Sequence, residues 1–240
     1  MTDIEYLKKY LPSEYLEQGL KRLKQGEPVQ YIVGNVNFYG LELKVNKNVL
    51  IPRFETEELV YKTINYIKET YGNEKISIVD LGTGSGCIAI SLKKKLDNCI
   101  ITAVDISSSA LDVAKENALI NECEVNLIQG DMLSPLNEKY DVIISNPPYI
   151  EYCDDTVMDI VKNNEPNIAL YAPDNGLYFY KEIINNSDKY LKDKFIICFE
   201  IGCEQGKAVE KLAQKKYPNS KIYIEKDMQN RDRYVFIFSQ

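Results

Sequence analysis

The sequence predicts an α/β fold. It is a doubly wound, mainly parallel seven-stranded sheet with the last strand antiparallel, preceded by a short helical and hairpin appendage. Three observations predict it. From Ile76 onward, short apolar runs alternate with amphipathic helical stretches. The first of these runs ends in a glycine-rich turn that opens a helix. The last two runs are joined only by Asp227 to Asp232, too short for a parallel crossover.

Residues 1–27 form a helical N-terminal segment. Ile4, Leu7 and Leu11 make one apolar stripe and Leu16, Leu20 and Leu23 a second, with a break at Pro12 and Ser13 as the expected cap of the second helix. Residues 28–48 read as a β-hairpin connector. Tyr31-Ile32-Val33, Val36 to Tyr39 and Leu41 to Val45 are β-like and are separated by Gly34 and Gly40. The remaining 49–240 form the main domain. An extended Leu50 to Phe54 leads to a helix capped by Thr56 and running to Tyr71, its buried face carrying Leu59, Val60, Ile64 and Ile67. Strands follow at 76–80, 100–104, 124–128, 140–145, 195–200, 221–226 and 233–238, with helices at 86–96, 107–120, 176–191 and 204–216. The polar 146–175 stretch leaves the carboxyl end of a strand, where open α/β sheets place ligands.

Composition excludes several chemistries. The 240 residues contain no histidine, so no Ser-His-Asp triad, Cys-His dyad or His-ligated zinc site is available. The six cysteines are scattered without a C-x-x-C pair; they read as reduced thiols, and no metal site is expected. With 29 Lys and Arg against 36 Asp and Glu, the formal charge is −7, which argues against direct contact with nucleic acid. The charged N-terminus has no apolar leader core, and no run approaches the ~18 residues of a membrane span. A cytoplasmic protein without membrane contact is expected.

Ile78 to Cys87 reads IVDLGTGSGC: a strand, a turn containing Gly82, Thr83, Gly84, Ser85 and Gly86, and a helix start. Glycines there let a ligand lie against the backbone. The next strand ends at Asp105, 23 residues after Gly82 and followed by Ile106, where a carboxylate can accept from both hydroxyls of a ribose. After the third strand, Asp131 can face an exocyclic adenine amine and Met132 can cover the ring. The ligand reads as an adenosine compound. A dinucleotide needs a site for a pyrophosphate. S-adenosylmethionine has none, and Asp80 before the turn suits its ammonium group.

The strand Tyr140 to Ser145 ends in Asn146-Pro147-Pro148-Tyr149. By average usage this tetrapeptide arises on the order of once per thousand chains of this size, and it sits beside the nucleoside crevice. These groups suit methylation of a planar nitrogen. The Asn146 oxygen and the Pro147 carbonyl can accept the two N–H groups of an amide, orienting it and stabilising the positive charge that develops on transfer. Tyr149 can pack on the planar group and exclude water.

These residues resemble the class I S-adenosylmethionine methyltransferases, with their Rossmann-like fold. More closely, they resemble the release factor glutamine-N5 methyltransferase family (PrmC/HemK). The likeness is carried by Gly26 to Gly34, Leu50 to Arg53, Glu55 to Glu57, Asp80 to Gly86, Asn146 to Tyr149, Glu165-Pro166, Ala169-Leu170, Gly176-Leu177, Glu200 to Gly202 and Arg231 to Arg233. The resemblance implies methylation of the glutamine in the Gly-Gly-Gln motif of class I peptide chain release factors. It implies cofactor contacts at Gly82 to Gly86, Asp105 and Asn146, and substrate contacts along Asn146, Pro147, Pro148 and Tyr149. Arg53 and Glu55 are candidates to organise the site wall. The chain departs from the family in its short N-terminal helical segment, in Met132 where an aromatic is usual, and in Phe54 where proline is usual. Methylation of a ribosomal-protein glutamine and adenine-N6 methylation of nucleic acid are the alternatives within the class. A nicotinamide oxidoreductase is disfavoured by the glycine spacing, and a non-catalytic nucleoside adaptor by an intact Asn146.

Overall fold

The structure is a computed structural model describing residues 2–239. Met1 and Gln240, which fall within the expected terminal segments, lie outside the described residues.

Seven strands form one sheet: β3 (Ile76–Leu81), β4 (Cys99–Asp105), β5 (Asn126–Gln129), β6 (Tyr140–Ser145), β7 (Leu191–Glu200), β8 (Lys221–Lys226) and β9 (Asp232–Phe238). An N-terminal hairpin supplies β1 (Asn35–Phe38) and β2 (Leu41–Lys44). The sheet order is β5-β4-β3-β6-β7-β9-β8. β9 runs antiparallel to both β7 and β8, whereas the pairs among β3 to β7 are parallel. The expected architecture is therefore present. β3 lies between β4 and β6, so strand order reverses at its edge and leaves a crevice at the carboxyl ends.

The central strands are apolar on both faces because helices cover both. Ile78, Val142 and Ile144 point to one side, against α4 (Phe54–Tyr71) and α5 (Cys87–Lys95). Val79, Leu81 and Ile143 point to the other, against α8 (Tyr178–Asn186) and α9 (Gly206–Lys216). This is the period-2 alternation of a strand. On α4 the buried Leu59, Val60, Thr63, Ile64 and Ile67 recur at helical spacing. Each fully buried Leu or Ile contributes about 1.5–3 kcal/mol.

Several boundaries differ from expectation. Tyr31 to Val33, expected as β, lie in a short helix α3 (Val29–Val33). Pro28 precedes it, and Gly34 ends it in the left-handed region at φ +86°, its N–H donating to the Gln30 carbonyl at 2.7 Å. Val29 and Ile32, three apart, pack with Leu7, so tertiary burial outweighs the β-branched preference. Ser13 caps nothing: it starts a single 3-10 turn, Ser13–Tyr15, that leads into α2 (Leu16–Lys24). Thr56 is not the cap of α4. Arg53 holds that position, and the Thr56 side chain is buried inside the first turn. β5 starts later than expected and pairs with β4 alone, as an edge strand. The expected helix 176–191 ends at Asn186 and passes through a 3-10 turn, Ser187–Lys189, and β7 begins early, at Leu191. The 146–175 stretch contains a short helix α7 (Asp159–Asn164) and a bridge from Ile150 to Tyr171.

The helix α1 (Asp3–Tyr10), capped by Thr2 in a capping box with Glu5, packs with α2 and α3 around Leu7, Val29 and Ile32. The hairpin is tied to the main sheet through Phe38 and Leu43, which join the core beneath α4 and α5. The helix α6 (Ser108–Ile120) supplies a second tie. Its fully buried Asn117 accepts from Lys44 N at 2.6 Å, donates to Lys44 O at 3.0 Å, and donates to the Ser85 carbonyl at 2.9 Å. One side chain thus joins hairpin, helix and glycine-rich turn. Asn117→Ala leaves those backbone groups unpaired and is expected to cost about 2 kcal/mol or more in urea unfolding. An unchanged midpoint would show that water replaces all three bonds. Among the described residues, no helix is long and apolar enough to cross a membrane.

Candidate active site

The carboxyl ends of β3, β4 and β6 open on a cavity of about 420 Å³. Of the sequence candidates, Gly82, Gly84, Asp105, Ile106, Asp131, Met132, Asn146 and Pro148 line it. Gly84 faces open space, with no heavy atom within 4 Å of where a Cβ would stand, so its backbone is accessible. Asp105 Oδ2 accepts from Gly84 N at 2.8 Å and Oδ1 from Ser107 N at 2.9 Å. Burial pushes the Asp105 carboxyl up, opposed by backbone N–H groups of Ser107, Gly84 and Ile106. Each oxygen keeps a lone pair for a further donor.

The other candidates do not line the cavity. Asp80 is fully buried and does not line the cavity. Its Oδ2 accepts from Thr83 Oγ1 at 2.6 Å and Ala89 N at 3.3 Å, while Oδ1 has no partner among the described residues. Thr83 therefore braces the turn from below, and Ser85 is likewise buried. Gly86 serves packing: at φ +81°, a Cβ there would lie 2.9 Å from Ile90 Cδ1 and 3.2 Å from Ala114 Cβ. Pro147 is buried. The Tyr149 ring hydroxyl is 3.5 Å from Glu200 Oε1, and its carbonyl accepts from Gln205 Nε2 at 2.9 Å. Burial, then the Glu200 carboxylate, hold the Tyr149 phenol well above its ordinary value.

Burial pushes the Asp80 carboxyl up to about 7, opposed by the Thr83 and Ala89 bonds. A raised carboxylate pKa stabilises the fold below the unfolded value, and that stability is lost as pH climbs through the folded value. Asp80→Asn is therefore expected to gain stability relative to the parent chain between about pH 4 and pH 7, and to gain no more above. Urea unfolding at several pH values checks this. A constant difference across the window would mean Asp80 stays ionised.

Several lining residues were not singled out from sequence. Tyr152, Tyr171, Tyr178 and Phe179 form an aromatic side of the cavity, with Tyr152 stacked on Tyr171 at 5.6 Å. The polar stretch after β6 holds Tyr152 and Tyr171, whereas Tyr178 and Phe179 open the helix that follows it. Arg53 reaches Glu165, not Glu55: Nη2 lies 2.5 Å from the buried Glu165 Oε1, and Glu165 Oε2 accepts from Ile51 N at 3.2 Å. Glu55 pairs with Arg231 at 3.2 Å. The Ile51-Pro52-Arg53 segment is thereby strapped to the loop that carries Pro166, Ile168 and Ala169 of the cavity wall.

Among the described residues the cavity lining includes no Lys or Arg, and its only charged side chains are Asp105 and Asp131. A pyrophosphate would meet no countercharge here. A ligand bearing a sulfonium and an ammonium would meet carboxylates. The residues fit S-adenosylmethionine on that ground.

A family model described as "Methyltransferase small domain" matches residues 63–167. A release factor glutamine methyltransferase from Streptococcus pneumoniae is 40% identical over 225 residues, covering 93% of this chain and 79% of that protein. The corresponding enzyme from Lactococcus lactis is 43% identical over 218 residues, covering 90% and 79%. The chain belongs to the release factor glutamine methyltransferase family. A solved release factor-specific protein-(glutamine-N5) methyltransferase from Alicyclobacillus acidocaldarius superposes with a TM-score of 0.52 at 26% identity, over 82% of this chain and 99% of that one. The sheet order and the antiparallel β9 are those of a class I methyltransferase. Within that family's fold, the short helices α1 to α3 here pack as a cluster of their own ahead of the hairpin.

Proposed function

We propose that this chain moves a methyl group from S-adenosylmethionine to the side-chain amide nitrogen (N5) of the glutamine in the Gly-Gly-Gln motif of class I peptide chain release factors. The observation that carries this reading is the single cavity. Its lining includes Gly82, Gly84, Asp105 and Asn146 and, among the described residues, no positive side chain.

When bound, S-adenosylmethionine supplies an electrophilic methyl group on a positively charged sulfur. The chain's own residues orient the acceptor. Asn146 is half-buried at the end of β6, and its Nδ2 is already engaged by Thr56 Oγ1 at 3.1 Å. Its Oδ1 is left to accept one N–H of a glutamine amide. Among the described residues no donor reaches the Pro147 carbonyl, which can accept the second. Two acceptors, one for each N–H, would hold the nitrogen with its lone pair toward the methyl donor. They also stabilise the charge that builds on nitrogen. No base tuned near neutrality is needed, because methylation itself acidifies the nitrogen and the proton leaves late to water. The absence of histidine from the chain is consistent with that. The net charge of −7 favours a protein amide over a base of nucleic acid.

The test is label transfer from radioactive S-adenosylmethionine in separate incubations with a class I release factor, ribosomal protein and DNA. Label on the release factor is expected. Label confined to ribosomal protein or to DNA would overturn the assignment in favour of the corresponding alternative.

A further inference from the structure

Thr56 sits between Asn146 and Glu200 and bonds to both. Its hydroxyl is 2.7 Å from Glu200 Oε2 and 3.1 Å from Asn146 Nδ2. A threonine hydroxyl has one proton, and an ionised carboxylate can only accept. That proton therefore goes to Glu200, and the Thr56 oxygen must accept from Asn146. The Asn146 amide is obliged to turn its NH2 inward and its Oδ1 outward. Thr56 and Glu200 are each only 2% exposed, so water is not at hand to take either place. Tyr149 occupies the remaining carboxylate oxygen.

The geometry points to Thr56 and Glu200 as positioning residues that fix the Asn146 amide with its oxygen toward the substrate nitrogen. The polarity of one buried carboxylate, relayed through one hydroxyl, sets which end of Asn146 the substrate meets. An amide turned by half a rotation would set N–H against the N–H of the substrate glutamine, and the nitrogen would not be held. The inference rests on the glutamine reading for what Asn146 receives; the orientation itself belongs to the free protein.

Protonation reverses the relay. Burial pushes the Glu200 carboxyl up to about 7, opposed by the Thr56 bond and by Arg233 on β9. Glu55 on α4 adds to the rise, and the Tyr149 hydroxyl opposes it. Tyr180 on α8, Tyr234 on β9 and the Cys87 thiol on α5 also face this carboxylate, and burial raises all three, so they are neutral in this range. A carboxyl proton carried on Oε2 donates to Thr56, and Thr56 then donates to Asn146. The amide then presents its NH2 to the substrate. Turnover therefore falls as pH drops below about 7.

Four proteins test this: the parent chain, Thr56→Ser, Thr56→Val and Glu200→Gln. Three readouts are needed: kcat on a release factor across pH, affinity for S-adenosylhomocysteine, and exchange protection of the Asn146 side-chain amide protons by NMR in the free protein. Thr56→Val keeps the shape and removes the relay. It is expected to lose kcat on the order of 10²-fold, keep its affinity for S-adenosylhomocysteine, and lose amide protection. Thr56→Ser is expected to restore both kcat and protection, which a merely space-filling role would not predict. Glu200→Gln cannot ionise, so loss of the acid limb near pH 7 is expected. A Thr56→Val enzyme with near-parent kcat and a protected Asn146 amide would overturn the proposal, as would a Glu200→Gln enzyme that keeps the limb. A parent chain that labels no release factor counts against the glutamine reading instead, and the NMR readout still decides the orientation.

Discussion

Asn146→Ala is expected to lower kcat by about 10²-fold or more while leaving the affinity for S-adenosylhomocysteine close to that of the parent chain. The reason lies in where Asn146 stands. Its Cα is fixed at the end of β6, where Ser145 Oγ donates to the Leu81 carbonyl at 2.7 Å and holds the ends of β6 and β3 together. The side chain lines the cavity beyond that anchor. Truncation removes an acceptor from the acceptor amide and leaves the glycine-rich turn and Asp105 intact. Stopped-flow single turnover with a release factor, paired with calorimetry of S-adenosylhomocysteine, separates the two effects. A large loss of cofactor affinity with little change in kcat would reassign Asn146 to cofactor binding alone.

Asp105→Ala is expected to do the reverse, weakening S-adenosylhomocysteine binding on the order of 10²-fold. Hydrogen bonds to a charged group contribute about 1.5–3 kcal/mol, and each 1.4 kcal/mol is about tenfold in affinity. The carboxylate also holds Gly84 N and Ser107 N, so its loss frees the turn as well as the ribose contacts. Asp105→Asn keeps one acceptor oxygen and is expected to lose less. Equal affinity for the Asp105→Ala protein and its parent would mean the ribose is held elsewhere.

The parts of the fold legible in sequence were those with local causes. β3 and β6 are short apolar runs because both faces are covered, and the turns that end them have compositions no helix or strand interior would carry. The antiparallel β9 followed from the length of its connection to β8. Tyr31 to Val33 misled because three β-type residues form a helix when Pro28 and Gly34 bracket them and Leu7 waits to receive Ile32. At the site, the residues on the cavity wall carried motif signals, whereas the residues behind it did not. Thr56 and Glu200 are 144 residues apart and meet only in the folded chain. As a threonine just ahead of an apolar helical face, Thr56 reads as a cap; only the packing of α4 on β7 turns it into a relay. Asp80 likewise reads as a ligand beside a glycine-rich turn. It is completely buried and bonded to Thr83 and Ala89 instead, which no local pattern reports. The pairing of Arg53 with Glu165 has the same long-range origin.

The most direct test of the central claim is to map the transferred methyl group. The parent chain is incubated with S-adenosylmethionine and a class I release factor, and the product is digested and sequenced by mass spectrometry. One added methyl on the side-chain nitrogen of the Gly-Gly-Gln glutamine is expected, and none when that glutamine is replaced. A methyl group on any other residue, or undiminished transfer to the glutamine-substituted factor, would contradict the account.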